Sequence, residues 1–347
     1  MNSISFAGND YFGLSREPRL AEAMARAARE YGISPTSGRF FLGWTEQHQG
    51  LEREVAEFFG AEEACLLTST YLGGITFFWA LGQEYRTVIC DEYSHLNLVQ
   101  GMRAAGCEIR TYRHLEADDL RAQLRGYRGP RPAVVTDGVF GISGEPAPLG
   151  EIAAAAREAG ALLLVDDAHG VFSMGRNGRG ACEVAGLEPN SCVIMGSMSK
   201  ALGCHGGFFI GPAAIMRQLQ KTTAGASPSP TPVVAAAREA LRIVRQEPEL
   251  RQRMEKNRAR MLDALRAVAV PVVSTETPIL AMLLRDETEA QGLARHFESR
   301  GLIIRYAKYP SEPRTNLLRS AARAVYTDEH LARFRVALEE WRGVSAT

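Results

Sequence analysis

Two side chains pose the first chemical question. An apolar run, Ala161 to Val165, ends in Asp166-Asp167-Ala168-His169-Gly170, and 34 residues after Asp166 a second run ending at Met195 leads through Gly196-Ser197-Met198-Ser199 to Lys200. A carboxylate directly after a buried strand is costly unless it meets a partner charge. Taken alone it is an ordinary strand-end aspartate. A lysine taken alone is ordinary surface charge, yet Lys200, Lys221, Lys256 and Lys308 are the only lysines among 40 Lys+Arg residues. Arginine serves wherever plain cationic surface is wanted, so a lysine flanked by small residues needs its own reason.

Together, an aspartate at one strand end and a lysine at the next match what a pyridoxal 5'-phosphate (PLP) enzyme requires. The lysine amine joins the cofactor aldehyde, and the carboxylate keeps the pyridine nitrogen protonated so that the ring can accept electrons. Two more segments fit the same chemistry. Leu67-Thr68-Ser69-Thr70-Tyr71-Leu72-Gly73-Gly74 precedes a helical pattern, and a turn opening a helix presents backbone N–H groups to a phosphate. Asp91-Glu92-Tyr93-Ser94-His95 follows a run ending at Cys90 and brings an imidazole to the same sheet edge.

These residues can meet only if the segments before them are neighbouring strands. Arg86 to Cys90, Glu108 to Tyr112, Ala133 to Thr136, Ala161 to Val165, Cys192 to Met195 and Gly207 to Ile210 read as buried strands. Between them, Asn97 to Ala105, Asp118 to Arg125 and Leu149 to Glu158 carry apolar residues at helical spacing. This predicts an α/β layout with a mostly parallel central sheet, whose ligands gather at the carboxyl ends of its strands. After a Pro/Ser-rich passage, Ala224 to Pro232, a long helical pattern runs from Val233 to about Ala267, interrupted near Pro248. Strands at Pro278 to Leu284 and Leu302 to Ala307, with helices at Glu289 to Ser299 and Asp328 to Trp341, predict a smaller α+β C-terminal domain. The expected organisation is an N-terminal segment over 1–40, a large cofactor-binding domain over 41–232 and the small domain over 233–347.

Composition narrows the function class. The 347 residues carry 40 Lys+Arg against 40 Asp+Glu, without a long block of like charge, so neither nucleic acid nor a membrane surface is an expected partner. Apolar runs are far shorter than the roughly 20 residues that span a bilayer. Residues 1–14 show no basic and apolar leader, which places the expected protein in the cytoplasm. The six cysteines form no C-x-x-C pair and read as buried free thiols, and no metal site is expected.

Asn9-Asp10-Tyr11-Phe12-Gly13-Leu14, Asp91 to His95, Thr136-Asp137-Gly138-Val139-Phe140, Val165 to Gly170 and Ser197 to Lys200 closely resemble the α-oxoamine synthases, PLP enzymes of fold type I. The resemblance runs in order from residue 9 to about 330. It implies that Lys200 is the Schiff-base lysine and Asp166 the pyridinium partner. His169 would hydrogen-bond the phenolic oxygen of the cofactor, Ala168 would pack under the ring, and His95 would stack on the opposite face. Backbone groups of Thr70 and Tyr71, with the Ser197 hydroxyl, would hold the phosphate. Arg319 matches the family arginine for the amino-acid carboxylate, and Asn9 the asparagine that assists it. The resemblance also implies a homodimer with shared active sites, in which the segment Ser227 to Pro232 reaches the partner's phosphate; Ser227, Ser229 and Thr231 are its candidate hydroxyls.

The implied reaction is condensation of an amino acid with an acyl thioester, acyl-CoA or acyl-carrier protein, with decarboxylation, giving an α-amino ketone. Three departures stand out. The sequence starts almost at the Asn-Asp-Tyr motif and is expected to lack the amino-terminal helix that in relatives supplies a second substrate-contacting arginine. Gly141 stands where many relatives have a serine near the cofactor. Ser37-Gly38-Arg39 replaces a Gly/Ser-rich stretch, although Arg39, Gly43 and His48-Gln49-Gly50-Leu51-Glu52 still align. Two other readings stay open: a PLP enzyme acting on an amino acid without an acyl donor (aminotransferase, epimerase, decarboxylase or retro-aldolase), and a non-catalytic scaffold subunit, which the presence of Lys200 disfavours.

Overall fold

The structure, a computed structural model, describes residues 3–306 and 308–343. The chain divides into two compact units, one comprising Leu14–Val139 and Ala147–Gln246, the other Met1–Gly13, Phe140–Pro146 and Glu247–Thr347.

In the smaller unit, β1 (Ile4–Ser5) pairs in parallel with β10 (Leu302–Ile303), and β9 (Ile279–Leu283) pairs antiparallel with β11 (Leu317–Ala321). Helices α10 (Glu249–Ala267), α11 (Glu287–Ser299) and α12 (Asp328–Arg342) accompany them. Thr327 and His330 cap α12 reciprocally, side chain to backbone in both directions, which satisfies amide groups that a helix start leaves open. The strand expected over Leu302 to Ala307 stops at Ile303, and Ala307 itself lies outside the described residues.

The larger unit is built on a sheet of seven strands among the described residues: β2 (Glu63–Leu67), β3 (Thr87–Asp91), β4 (Glu108–Tyr112), β5 (Ala133–Asp137), β6 (Leu162–Asp166), β7 (Val193–Ser197) and β8 (Gly207–Gly211), in the order β2-β8-β7-β6-β5-β3-β4. The strands from β4 to β7 run parallel, and β8 lies antiparallel to both of its neighbours. Every residue of β3, β5, β6 and β7 is buried, which explains their near-continuous apolar character, whereas the edge strand β4 keeps polar residues.

Around this sheet lie α1 (Pro18–Tyr31), α2 (Glu46–Phe59), α3 (Gly73–Leu81), α4 (Leu96–Ala104), α5 (Ala117–Gly126), α6 (Leu149–Glu158), α7 (Ala181–Val184), α8 (Ala213–Thr223) and α9 (Thr231–Gln246). Phe77 and Phe78 of α3, Leu98 and Met102 of α4 and Met216 and Leu219 of α8 close one core cluster with Val88, Val135, Leu164 and Met195 of the sheet. Burying side chains of this size contributes roughly 1.5–3 kcal/mol each. Helices α3 and α4 approach closely because Gly74 and Gly101 meet there: a Cβ on Gly101 would stand 2.2 Å from the Gly74 carbonyl carbon. That contact fixes the head of α4, where His95 sits, against the turn before α3.

The division does not follow the expected cuts after residues 40 and 232. The N-terminal stretch Met1–Gly13 groups with the C-terminal part, while α9 belongs to the larger unit and packs along α1. The helix pattern does break at Pro248, which follows α9 and immediately precedes α10.

Candidate active site

The carboxyl ends of β5, β6 and β7 open into one cavity of about 200 Å³, lined among others by Thr70, Tyr71, His95, Asp166, Ala168, His169, Ser197 and Lys200. Eight of the ten expected site residues therefore line one cavity. Asn9 and Arg319 belong to the other unit. Asn97, Asp137, Ser199 and His205 also line the cavity, and the sequence reading assigned them no role.

Each group is placed by its element. Asp166 ends β6, and its Oδ1 accepts a 3.1 Å hydrogen bond from the Ala168 amide two residues on, which turns the chain sharply toward His169. Burial raises the Asp166 carboxyl above its ordinary range, while Lys200 pulls it back. His95 caps α4: its Nδ1 accepts from the Asn97 amide at 3.3 Å, and Asn97 Nδ2 donates to the Thr70 carbonyl at 3.1 Å. This chain of bonds ties α4 to the turn Ser69–Leu72. That turn is anchored to the sheet by Thr70 Oγ1, which donates to the carbonyls of Gly196 and Gly206. After β7, Ser197 Oγ and Ser199 Oγ lie 2.8 Å apart on the approach to Lys200.

Behind this loop, Asp167 turns away from the cavity. It is fully buried, with Oδ2 accepting from the Ala181 amide at 2.8 Å, and its Oδ1 has no hydrogen-bond partner among the described residues. Burial pushes its carboxyl up to about 8. Only glycine fits around it: a Cβ on Gly138, Gly170 or Gly180 would come within 2.5, 2.2 or 2.0 Å of a carboxylate oxygen.

The aligned motif around residue 39 also resolves. Arg39 binds Glu52 through two 2.8 Å bonds and stacks 3.8 Å over the Trp44 ring, and Glu52 in turn accepts from the Leu66 amide next to β2's end. His48 Nε2 lies 2.8 Å from the Ser229 carbonyl, so the Ser227 to Pro232 segment is held by α2. Ser229 and Thr231 are buried and Ser227 is exposed. All six cysteines are free thiols, and five of them are buried.

In the other unit, β11 carries Arg319. Its Nε donates to Gly141 O at 2.6 Å, Nη1 to Ala7 O at 3.1 Å and Nη2 to Asn9 Oδ1 at 2.5 Å. Asn9 and Arg319 are thus brought together, with the buried Tyr11 phenol also against the guanidinium.

The cavity suits PLP by its donor set. A buried carboxylate that needs a cationic N–H, an amine, two imidazoles and a group of hydroxyls beside a helix-opening turn surround a space of small-cofactor size. Fold and site together define a fold-type-I PLP enzyme. A family model described as aminotransferase class I and II matches residues 2–338. The 8-amino-7-oxononanoate synthase of Alkalilimnicola ehrlichii is 32% identical over 348 residues, covering 98% of this chain and 88% of that protein. Among solved structures, Sphingomonas wittichii serine palmitoyltransferase superposes with a TM-score of 0.92 at 28% identity, covering 99% of this chain and 89% of that one. A serine palmitoyltransferase variant from S. paucimobilis, with bound PLP–myriocin aldimine, superposes at 0.90 with 26% identity over 98% of this chain and 88% of that one. The chain belongs to the class I and II aminotransferase family and, within it, to the α-oxoamine synthases, PLP-dependent acyltransferases.

Among the described residues, no helix is long and apolar enough to cross a membrane.

Proposed function

We infer that this protein condenses an amino acid with an acyl thioester, carried by coenzyme A or an acyl-carrier protein, releasing carbon dioxide and the free thiol and leaving an α-amino ketone. The observation that carries the reading is the gathering of Lys200, Asp166, His169 and His95 on one cavity at the carboxyl ends of neighbouring strands, in a chain that aligns almost end to end with acyl-transferring relatives.

Bound in this cavity, PLP supplies the electron sink for a carbanion at the α-carbon of the amino acid. Lys200 would hold the cofactor aldehyde through Nζ, and its amine is the base that would take the α-proton. Asp166 would hold a proton on the ring nitrogen through its carboxylate. His169 would hold the cofactor through its phenolic oxygen, and Ala168 and His95 would hold its ring. The backbone of Thr70 and Tyr71 and the Ser197 hydroxyl would receive the phosphate. Arg319, steadied by Asn9, receives the substrate carboxylate as a charge-assisted pair. The working form is a cytoplasmic homodimer in which Ser227 to Pro232 serves the partner's phosphate.

Product analysis tests the reading. Incubation with PLP, a panel of amino acids and acyl thioesters, followed by mass spectrometry, should yield an amino ketone whose mass is that of both substrates less carbon dioxide and thiol. Transamination or epimerisation products from the amino acid alone, with the thioester untouched, would replace it with a different reaction.

A further inference from the structure

Asp137 and Asp166 close neighbouring parallel strands, and the two residues are register partners at the last position of β5 and β6. Each is only 5% exposed, and both line the same cavity. Two buried carboxylates on neighbouring strands cost less when one of them keeps its proton. The surroundings decide which member keeps it. Facing the pair are Asp91 at the end of β3, His95 at the head of α4 and Lys200 beyond β7. Lys200 favours the charged form of Asp166. Asp137 lies under burial, the Asp166 charge and the Asp91 charge, opposed by the His95 amide and, more weakly, by Lys200, and its carboxyl stands well above the ordinary range.

Asp137 also has a structural hold on the site. Its Oδ2 accepts from the His95 amide at 3.0 Å, and His95 continues through Asn97 to the Thr70 carbonyl. We propose that Asp137 is a positioning residue that works as the neutral acid: it leaves Asp166 as the carboxylate of the site and fixes His95, with the Ser69–Leu72 turn behind it, against the cavity. The part of this that concerns Asp166 rests on the cofactor reading above; the shared proton does not.

Two measurements test it on the full-length protein. PLP affinity, read by titration, should weaken about tenfold or more in Asp137→Ala, which removes the carboxyl oxygen that accepts from the His95 N–H. Asp137→Asn should recover that affinity, because an amide oxygen accepts the same bond while staying neutral. Thermal melting without cofactor reads the proton independently. An acid whose folded-state pKa is raised gives stability that is lost as pH rises above the ordinary carboxylate range, so the melting temperature of Asp137→Asn should fall less steeply with pH than that of the parent. Parallel slopes would overturn the neutral-acid assignment. An Asn variant as weak for PLP as the Ala variant would overturn the positioning role. If the Ala variant fails to fold, affinity of the Asn variant within a few-fold of the parent still supports the role, and a loss as large as that expected for Ala still overturns it. If the parent itself binds no PLP, the cofactor reading fails, while the melting comparison still decides where the proton resides.

Discussion

Arg319 donates from Nε to the carbonyl of Gly141 at 2.6 Å, so the residue expected to bind the substrate carboxylate also fastens the segment Phe140–Pro146. Its N–H groups serve Gly141, Ala7 and Asn9, with the Tyr11 phenol beside them. Burial itself disfavours the charge, which an arriving carboxylate would relieve.

Arg319→Lys should therefore raise the KM for the amino acid with little change in PLP affinity. Three acceptors in a fixed fork cannot be matched by one ammonium, and losing a charge-assisted pair costs roughly 1.5–3 kcal/mol, about ten- to a hundredfold in KM. Steady-state kinetics check this. A fall in kcat at unchanged KM would instead give Arg319 a role in the transition state or in the fold.

Asp166→Asn should preserve the fold and lower kcat by several orders of magnitude, since an amide cannot keep the ring nitrogen protonated. Single-turnover kinetics beside a circular-dichroism melt separate the two effects. A mild Asp166→Asn together with a crippled Asp167→Asn would shift the assignment by one residue.

Asp167→Asn carries a pH signature. In the folded protein this carboxyl holds its proton up to about pH 8, whereas the unfolded chain loses it near pH 4. Between those values the native state binds more protons, so the parent loses stability as pH rises. Urea unfolding across the window should show a flatter dependence for Asp167→Asn, provided the amide oxygen takes over the Ala181 N–H.

Much of this architecture is legible in the residues themselves, and the limits have physical causes. Glu108–Tyr112 and Leu149–Glu158 fold as their patterns predict, and the other central elements shift by a residue or two at their ends, because turn and cap geometry sets boundaries more than composition does. The strings ending in Asp166, His169 and Lys200 announce their chemistry because few functions combine those groups at strand ends. Asp137 sits in an equally conspicuous string, yet its meaning depends on β5 lying beside β6 in register, a non-local fact. The strand Glu63–Leu67 begins with a charge, and α1, the partner of α9, has no local sign of that pairing.

Gly180→Ala should destabilise the larger unit. Its φ of +89° is a conformation that side-chain-bearing residues avoid, and a Cβ would stand 2.0 Å from Asp167 Oδ2. Strain and overpacking of this kind cost about 1–3 kcal/mol each. Equilibrium urea unfolding reads it as a lowered midpoint at unchanged slope, and an unaltered midpoint would mean that the loop around Asp167 yields freely.

The most direct test of the central claim follows the substrate carboxyl. With that carbon labelled, release of carbon dioxide should depend on the acyl thioester and match the appearance of free thiol one for one, and both should vanish in Lys200→Ala. Carbon dioxide released at the same rate without any thioester, or thiol released with the carboxyl retained in the final product, would contradict a decarboxylative condensation at this site.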